Sequence, residues 1–223
     1  EVAIKRVRPE RRSRGTTRRL LQEGWASGAL EHPNVVPVHF VGRDDEEPYL
    51  VMRRVQGTEW GRLMGDGATV STRFGVEDLL GWNLRVLMQV CNAVSYAHAQ
   101  GILHRDIKPE NVMIGAFGEV YLMDWGLAVA VDDRHEGRVP TVRSVRSMAG
   151  TPAYMAPEML VPSPELPLSP ATDVYLLGAC LYQVLADRAP HLGTTLREIA
   201  TSILESVPEV PPSVPGELHA IVL

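Results

Sequence analysis

The hydrophobic pattern changes period part-way along the chain. EVAIKRV at the start alternates and is β-branched, which predicts a strand. VVPVHFVG and PYLVMRRV predict two more strands flanking the turn RDDEE. Between the first strand and these, Thr16 or Thr17 caps a predicted helix running to about Ala29, ended by His32-Pro33-Asn34. Gln56 to Gly75 is Gly-rich and weakly patterned, and reads as a connector. From Leu79 the period becomes helical: Leu80, Leu84, Leu87, Met88, Cys91, Val94 and His98 recur on one face, and Gly101 ends the run. VMIG and EVYLMD predict two short strands joined by Ala116-Phe117-Gly118. Residues 127–153 form a long polar loop, of a length that usually carries function. From Met155 the chain is helical in pieces. TDVYLLGACLYQVLAD is apolar nearly all round and therefore reads as buried. VPEVPPSVP marks a second loop, and Met88, Met113 and Met123 read as core. Strands with one helix, followed mostly by helices, predict an α+β molecule in two lobes.

Composition narrows the class. The chain has 223 residues, 45% of them apolar, enough for one large domain or two small lobes with a sizeable core. A net charge of −5 makes nucleic acid an unexpected partner. Lys5, Arg6, Arg8, Arg11, Arg12, Arg14, Arg18 and Arg19 nevertheless crowd the first nineteen residues against Glu1 and Glu10, and read as a solvated loop and helix start. Cys91 and Cys180 sit in apolar helical patterns without a second ligand at metal spacing, as free thiols do in a reducing compartment. The longest apolar run, near Leu176 to Ala186, is broken by Gln183 and is too short to span a bilayer. With no initiator Met at the front and the apolar HAIVL at the end, the chain reads as a fragment.

The candidate chemistry is concentrated in HRDIKPENV, His104 to Val112. Asp106 and Asn111 at a helix-to-strand junction can aim their oxygens into one cleft, and Asp124 follows at the end of the next predicted hairpin. Asn111 and Asp124 supply the hard oxygen ligands that Mg²⁺ prefers. Asp106 is then free to accept a proton, and Lys108 to neutralise phosphate charge. These are the parts that phosphoryl transfer uses.

With these residues in view, the chain resembles the eukaryotic-like serine/threonine protein kinases and is most similar to bacterial members. The resemblance covers nearly the whole sequence. VAIK (2–5) matches the strand lysine motif and HRDIKPEN the catalytic loop. DWG (124–126) matches the metal-binding DFG motif with Trp for Phe, GTPAYMAPE (150–158) the end of the activation segment, and Asp173 the buried aspartate of the large lobe. The resemblance implies a two-lobed kinase-like fold: residues 1–55 a small antiparallel β lobe with one helix, ending in the hinge, and 56–223 a larger, mainly helical lobe. It implies ATP and Mg²⁺ as cofactors and protein Ser/Thr hydroxyls as substrates, with Asp106 as base. Lys5 would reach the ATP phosphates from a buried strand, paired with Glu23. Met52 would guard the back of the adenine pocket, and Arg53 and Val55 would offer backbone groups to adenine. Met113 would form the floor and Glu59 would meet a ribose hydroxyl. Lys108 and Thr151, near the base, mark the serine/threonine branch. Arg105 would await a phosphate on the loop at Thr141, Ser144 or Ser147. Trp125 would pack under the helix that carries Glu23. His104 would brace Asp124 or pack with Trp125, and Asp173 would bind the catalytic-loop backbone.

Two family parts are absent from the sequence. The glycine-rich phosphate loop would precede Val2, and the arginine that pairs with Glu158 would lie beyond Leu223, which leaves Glu158 as a buried, unpaired charge and predicts a weakened fold and poor ATP affinity. A cytoplasmic setting is expected for this domain, with a membrane anchor elsewhere in a longer parent. The resemblance also allows a dimer that phosphorylates in trans. Two readings compete with the kinase: a pseudokinase or nucleotide-binding scaffold, which retention of Lys5, Asp106, Asn111 and Asp124 opposes, and a small-molecule phosphotransferase, which Lys108 and the APE motif oppose.

Overall fold

The computed structural model describes residues 1–45, 47–212 and 214–222; Glu46 of the predicted turn, Ser213 of the proline-rich stretch and the terminal Leu223 lie outside the described residues. Three antiparallel strands form the first sheet: β1 (Val2–Arg6), β2 (Val38–Asp44) and β3 (Glu47–Arg53), in the order β1-β3-β2. Alternation sets their faces. Pro48, Leu50 and Met52 of β3 point inward, and Leu50 is matched with Lys5 on one side and Val41 on the other. β1 lies at the edge of the described sheet, with Val2 and Ile4 more than half exposed.

Helix α1 (Arg14–Gly28) packs across this sheet. Its N-cap is Ser13, upstream of either predicted threonine. The Ser13 hydroxyl accepts from the Thr16 N–H at 3.1 Å, while the Thr16 hydroxyl accepts from the Ser13 N–H at 2.9 Å. This is a capping box with threonine in the place of the usual Glu or Gln. The helix stops at Gly28, ahead of His32-Pro33-Asn34. Its inward face carries Leu20, Glu23, Ala26 and Ser27.

The predicted connector is structured. It holds β4 (Gly57–Glu59), α2 (Trp60–Leu63) and α3 (Gly67–Phe74). Asp66 caps α3 through the Thr69 N–H, and Gly75, with φ 65°, supplies its left-handed end. The helical pieces are too short to show a period, although Trp60, Leu63 and Val70 are buried. Helix α4 (Leu79–Ala99), capped by Asp78, buries the stripe Trp82, Val86, Leu87, Val90, Ala93, Val94 and Ala97. Met88 lies one step round from that stripe and is 61% exposed, so it is not core.

After α4 come β5 (Ile102–Leu103), β6 (Val112–Gly115) and β7 (Val120–Leu122); the last two join β4 in a sheet of order β4-β6-β7. The predicted long loop contains β8 (Val129–Ala130), which pairs with β5, and several 3₁₀ turns. Helices α5 (Pro157–Leu160), α6 (Pro170–Ala186), α7 (Leu196–Glu205) and α8 (Gly216–Val222) complete the larger lobe. α6 buries Asp173, Leu176, Ala179, Cys180 and Tyr182 but exposes Val174, so it is not covered all round. Glu158 departs from expectation: it is half-buried and accepts a hydrogen bond from the Thr172 hydroxyl at 2.6 Å. The main core runs through α4, α6 and the strands between them, while Leu20, Val36, Leu50, Met52 and Tyr121 make a separate small core under the first sheet. The architecture is that of two lobes, a small antiparallel sheet with one helix against a larger helical body. Both cysteines are free, and among the described residues no helix is long and apolar enough to cross a membrane.

Candidate active site

The site is organised around one buried carboxylate. Asp173, in the first turn of α6, is fully buried. Its Oδ2 accepts from the His104 N–H at 2.8 Å and its Oδ1 from the Arg105 N–H at 2.9 Å. His98 Nε2, from the last turn of α4, lies 2.8 Å from Oδ2. These bonds hold the turn that follows β5, where Arg105 takes the left-handed conformation at φ 68°. His104 continues the frame. Its Nε2 lies 2.9 Å from the Met123 carbonyl, and its Nδ1 accepts the Asp106 N–H at 3.1 Å. Only a ring with the proton on Nε2 satisfies both partners. The ring meets Trp125 edge-on, centroids 4.5 Å apart. The expected packing of His104 on Trp125 and the expected bonds of Asp173 to the backbone of this segment are present, while the His104 ring braces Met123 and not Asp124.

Asp106 is half-buried and approached from three sides. The Thr151 hydroxyl donates to Oδ1 at 2.8 Å. Lys108 Nζ donates to that same hydroxyl and sits 3.4 Å from Oδ2. Asn111 Nδ2 donates to the Asp106 carbonyl at 2.7 Å and to Oδ2 at 3.1 Å. With its nitrogen fixed in this way, the Asn111 amide keeps its oxygen available as an acceptor. The Met123 N–H donates to the Asn111 carbonyl at 2.8 Å, which ties the end of β7 to the segment that carries Asp106 and Asn111. Asp124 follows at once, at φ 60°, with its carboxylate about half exposed.

The opposite wall comes from the small lobe. Lys5 Nζ donates to both oxygens of Glu23 at 2.7 Å and lies 3.7 Å from Asp124 Oδ1. The lysine is 44% exposed and the glutamate only 8%. Burial pushes the Glu23 carboxyl above its ordinary value, against the pull of Lys5. Trp125 fills the space under α1; it is fully buried, and its indole N–H finds no partner among the described residues. Ala3, Val55, Met113 and Met123 pack against the small core that contains Met52. The Arg53 N–H is bonded to the Pro37 carbonyl, and the Arg53 guanidinium lies over the Tyr121 ring. Glu59, opposite Met113 in the sheet register, accepts from Arg62 at 3.0 Å.

Arg105 is 4% exposed. Its Nη1 makes one long contact, 3.4 Å, to the Leu127 carbonyl, and its Nε and Nη2 have no partner among the described residues. Burial depresses its pKa, Asp173 opposes that shift, and Arg19 adds to it. It lines a cavity of about 360 Å³ together with Ser144 and Ser147; Thr141 and Ser144 line the neighbouring cavity against α1.

Periodicity gave no signal for three contributors. His98 was assigned to the apolar stripe of α4, yet it reaches Asp173. Gln22 donates to the Ala128 carbonyl across the lobes; its polar side chain on the inward face of α1, beside Glu23, is the one mark it left. Thr172 serves Glu158. Among the described residues no group of three or more His, Cys, Asp or Glu side chains could hold a metal. A cation here would rest on the Asn111 and Asp124 oxygens and on oxygens of a bound substrate, a hard donor set that fits a small divalent ion.

Residues 1–215 match the family model described as the protein kinase domain. The chain is 33% identical over 214 residues to serine/threonine-protein kinase PknD of Protochlamydia amoebophila (strain UWE25), covering 89% of this chain and 22% of that protein. It is 32% identical to the PknD of Chlamydia felis (strain Fe/C-56), over 94% of this chain and 24% of that one. Against the PknD of Chlamydia pneumoniae the identity is 31%, over 100% of this chain and 26% of the relative. The chain thus spans between 22% and 26% of the length of these relatives. The family model runs through both lobes and through every contact made by Asp106, Asn111 and Asp124, and the chain therefore belongs to the protein kinase family.

Proposed function

We propose that this chain is the catalytic domain of a serine/threonine protein kinase, with residues 1–55 as the small lobe and hinge and 56–223 as the large lobe. ATP is the phosphoryl donor, and a Mg²⁺ ion, when bound, neutralises charge on its phosphates. The observation that carries the reading is the environment of Asp106. A hydroxyl, that of Thr151, already donates to its Oδ1 at 2.8 Å, while Lys108 Nζ stands 3.4 Å from its Oδ2. A substrate Ser or Thr hydroxyl arriving at that carboxylate would lose its proton to Asp106 as its oxygen bonds to the γ-phosphorus and the bond to ADP breaks. Lys108 would balance the negative charge, and Thr151 would hold Asp106 and Lys108 in place.

Asn111 and Asp124 would hold the metal. Lys5, steadied by Glu23, would reach the phosphates. Adenine would rest between Ala3 and Met113, with Met52 behind it and the Arg53 carbonyl and Val55 N–H at its edge. Glu59 would meet the ribose, for which its carboxylate has acceptor capacity beyond the bond to Arg62. Arg105 would receive a phosphate on the loop. Its orphan nitrogens favour Ser144 or Ser147, which share its cavity, over Thr141.

The test is phosphoryl transfer from ATP to a generic protein by the full-length parent. Asp106→Asn should lower the rate roughly a hundred- to ten-thousandfold, and Lys5→Met should abolish measurable transfer. Equal rates for the wild type and both variants would overturn the assignment.

A further inference from the structure

Charge is distributed unevenly over this acidic molecule. Between Val2 and Gln22 one acid, Glu10, stands against eight Lys and Arg residues, and between Gly137 and Ala156 there are three arginines and no acid. The two segments are far apart in sequence but fold together: Arg18 of α1 and Arg146 of the loop line one cavity, with Arg105 at its base. A solvated cationic face normally intersperses acids among its bases. Here, among the described residues, only Arg6 and Arg12 of the first segment's arginines find a carboxylate, on Asp44 and Glu47. Arg14 and Arg18 lie in the N-terminal half of α1, and the first turn of that helix contains no acid. Cations in that position oppose the helix dipole and so cost stability. Arg143 and Arg146 are exposed as well, and one Arg146 nitrogen is anchored to the Arg143 carbonyl at 2.6 Å.

This surface adjoins the reacting carboxylate. Arg105 precedes Asp106 in the chain. The segment after Arg146 runs against the catalytic loop, where a Cβ on Gly150 would stand 3.0 Å from the Arg105 carbonyl, and then reaches Thr151, which is bonded to Asp106. On the other side of Asp106 the exposed Glu110 turns towards α2, beside Gly61. A peptide held with its hydroxyl at Asp106 therefore has arginines along one flank. The rest of the chain is acidic and would repel an extended polyanion, so the fitting ligand is a short anionic segment.

Building on the kinase reading, we infer that the arginine face formed by α1 and the loop, with Arg14, Arg18, Arg143 and Arg146 as its exposed members, selects protein substrates whose target Ser or Thr is flanked by Asp, Glu or phosphorylated residues. Arg105, buried, supports the surface from below.

The experiment uses the full-length parent and two peptides that share one serine, one flanked by glutamates and the other by glutamines at the same positions. The glutamate peptide should be used with kcat/KM roughly tenfold higher at low salt, mostly through KM, and the advantage should shrink towards parity as salt screens the arginines. Arg143→Gln combined with Arg146→Gln should remove most of the preference and leave transfer to the glutamine peptide unchanged; Arg14→Gln with Arg18→Gln should remove part of what is left. Equal use of the two peptides, or a preference that survives both double variants, overturns the inference while the kinase reading stands. Binding to anionic vesicles or to nucleic acid that depends on the same arginines, without any peptide preference, overturns it in favour of that partner. Absence of transfer to either peptide overturns the kinase reading and this inference together.

Discussion

The catalytic loop and the α1 contact solve the same problem, holding charged side chains near one cleft, in opposite ways. Around Asp173 the carboxylate and the loop's backbone groups are matched: two backbone N–H groups and His98 converge on one carboxylate, and His104 bridges Asp106 to Met123. Beneath α1 the matching is incomplete. Trp125 and the Arg105 side chain keep N–H groups with no partner among the described residues, and Glu23 is buried against a lysine that is itself 44% exposed. The cores differ too. Thirty-six buried side chains form the main cluster among the described residues, and only five form the small one under the first sheet. Opening free energy follows buried contact, and the edge strand β1 with its half-exposed Lys5 has less of it than the loop, although Ala26 of α1 and Trp125 beneath it belong to the main cluster.

The sharpest way to break this comparison is Asp173→Ala. It leaves the His104 and Arg105 N–H groups buried without an acceptor, and should cost about 3–5 kcal/mol in urea-induced unfolding monitored by far-UV circular dichroism. A loss below about 1 kcal/mol would mean that the loop holds its shape by other means. Next in size is a contrast between two buried tryptophans. Trp60 donates to Asn83 at 2.7 Å, so Trp60→Phe loses a bond, strands the Asn83 oxygen and opens a cavity, at about 2–3 kcal/mol. Trp125→Phe opens a similar cavity but also removes a buried donor that had no partner, and the two terms should nearly cancel, leaving a change within about 1 kcal/mol. Equal losses for the two variants would show that the Trp125 N–H is satisfied.

A smaller effect separates the lobes by pH. His191 is buried in the large lobe, where its Nε2 lies 2.6 Å from the Tyr175 hydroxyl, and burial lowers its pKa from the ordinary 6.5. The folded state therefore prefers the neutral ring. Stability from this source is complete above the unfolded value and is lost as pH falls from about 6.5 through the depressed folded value. The thermal midpoint of the wild type should fall more steeply over that range than that of His191→Asn. Parallel curves would remove His191 from the balance.

The large-scale plan was legible because it rests on periodicity. Strand alternation in β3 buries one face, and helical spacing marked α4 as a helix, although of the expected stripe only Leu87 and Val94 are buried and the rest of the buried face is Trp82, Val86, Val90, Ala93 and Ala97. The Lys5–Glu23 pair was legible for another reason: Glu23 is the sole acid between Glu10 and Glu31. What escaped depends on single polar side chains. Ser13 took the α1 cap from Thr16 because the capping box needs both residues, and sequence alone could not say which one starts it. Met88 turned outward because an apolar residue beside a stripe looks the same as one within it. His98 and Gln22 make their bonds across long sequence separations, and no local pattern records those. The helices α2 and α3 escaped because they are too short to complete a recognisable period.

The smallest predicted effect on stability is also the one that separates stability from function. Burial raises the Glu23 carboxyl above its ordinary value of 4.5, with Lys5 opposing. The folded state thus binds that proton more tightly than the unfolded chain does. The favourable contribution is complete below the unfolded value and is lost as pH rises through the raised folded value, above which a charged carboxylate stays buried against a half-exposed lysine. Glu23→Gln removes the buried charge and leaves Lys5 to solvent. At pH 7 the variant should unfold within about 1 kcal/mol of the wild type, with the wild type gaining on it as pH is lowered through the raised folded value. Phosphoryl transfer should nevertheless fall sharply at pH 7, because nothing then holds the lysine against α1. If Glu23→Gln destabilises the fold at pH 7 as much as Asp173→Ala does, the α1 contact is as rigid as the catalytic loop and the contrast between the two regions fails.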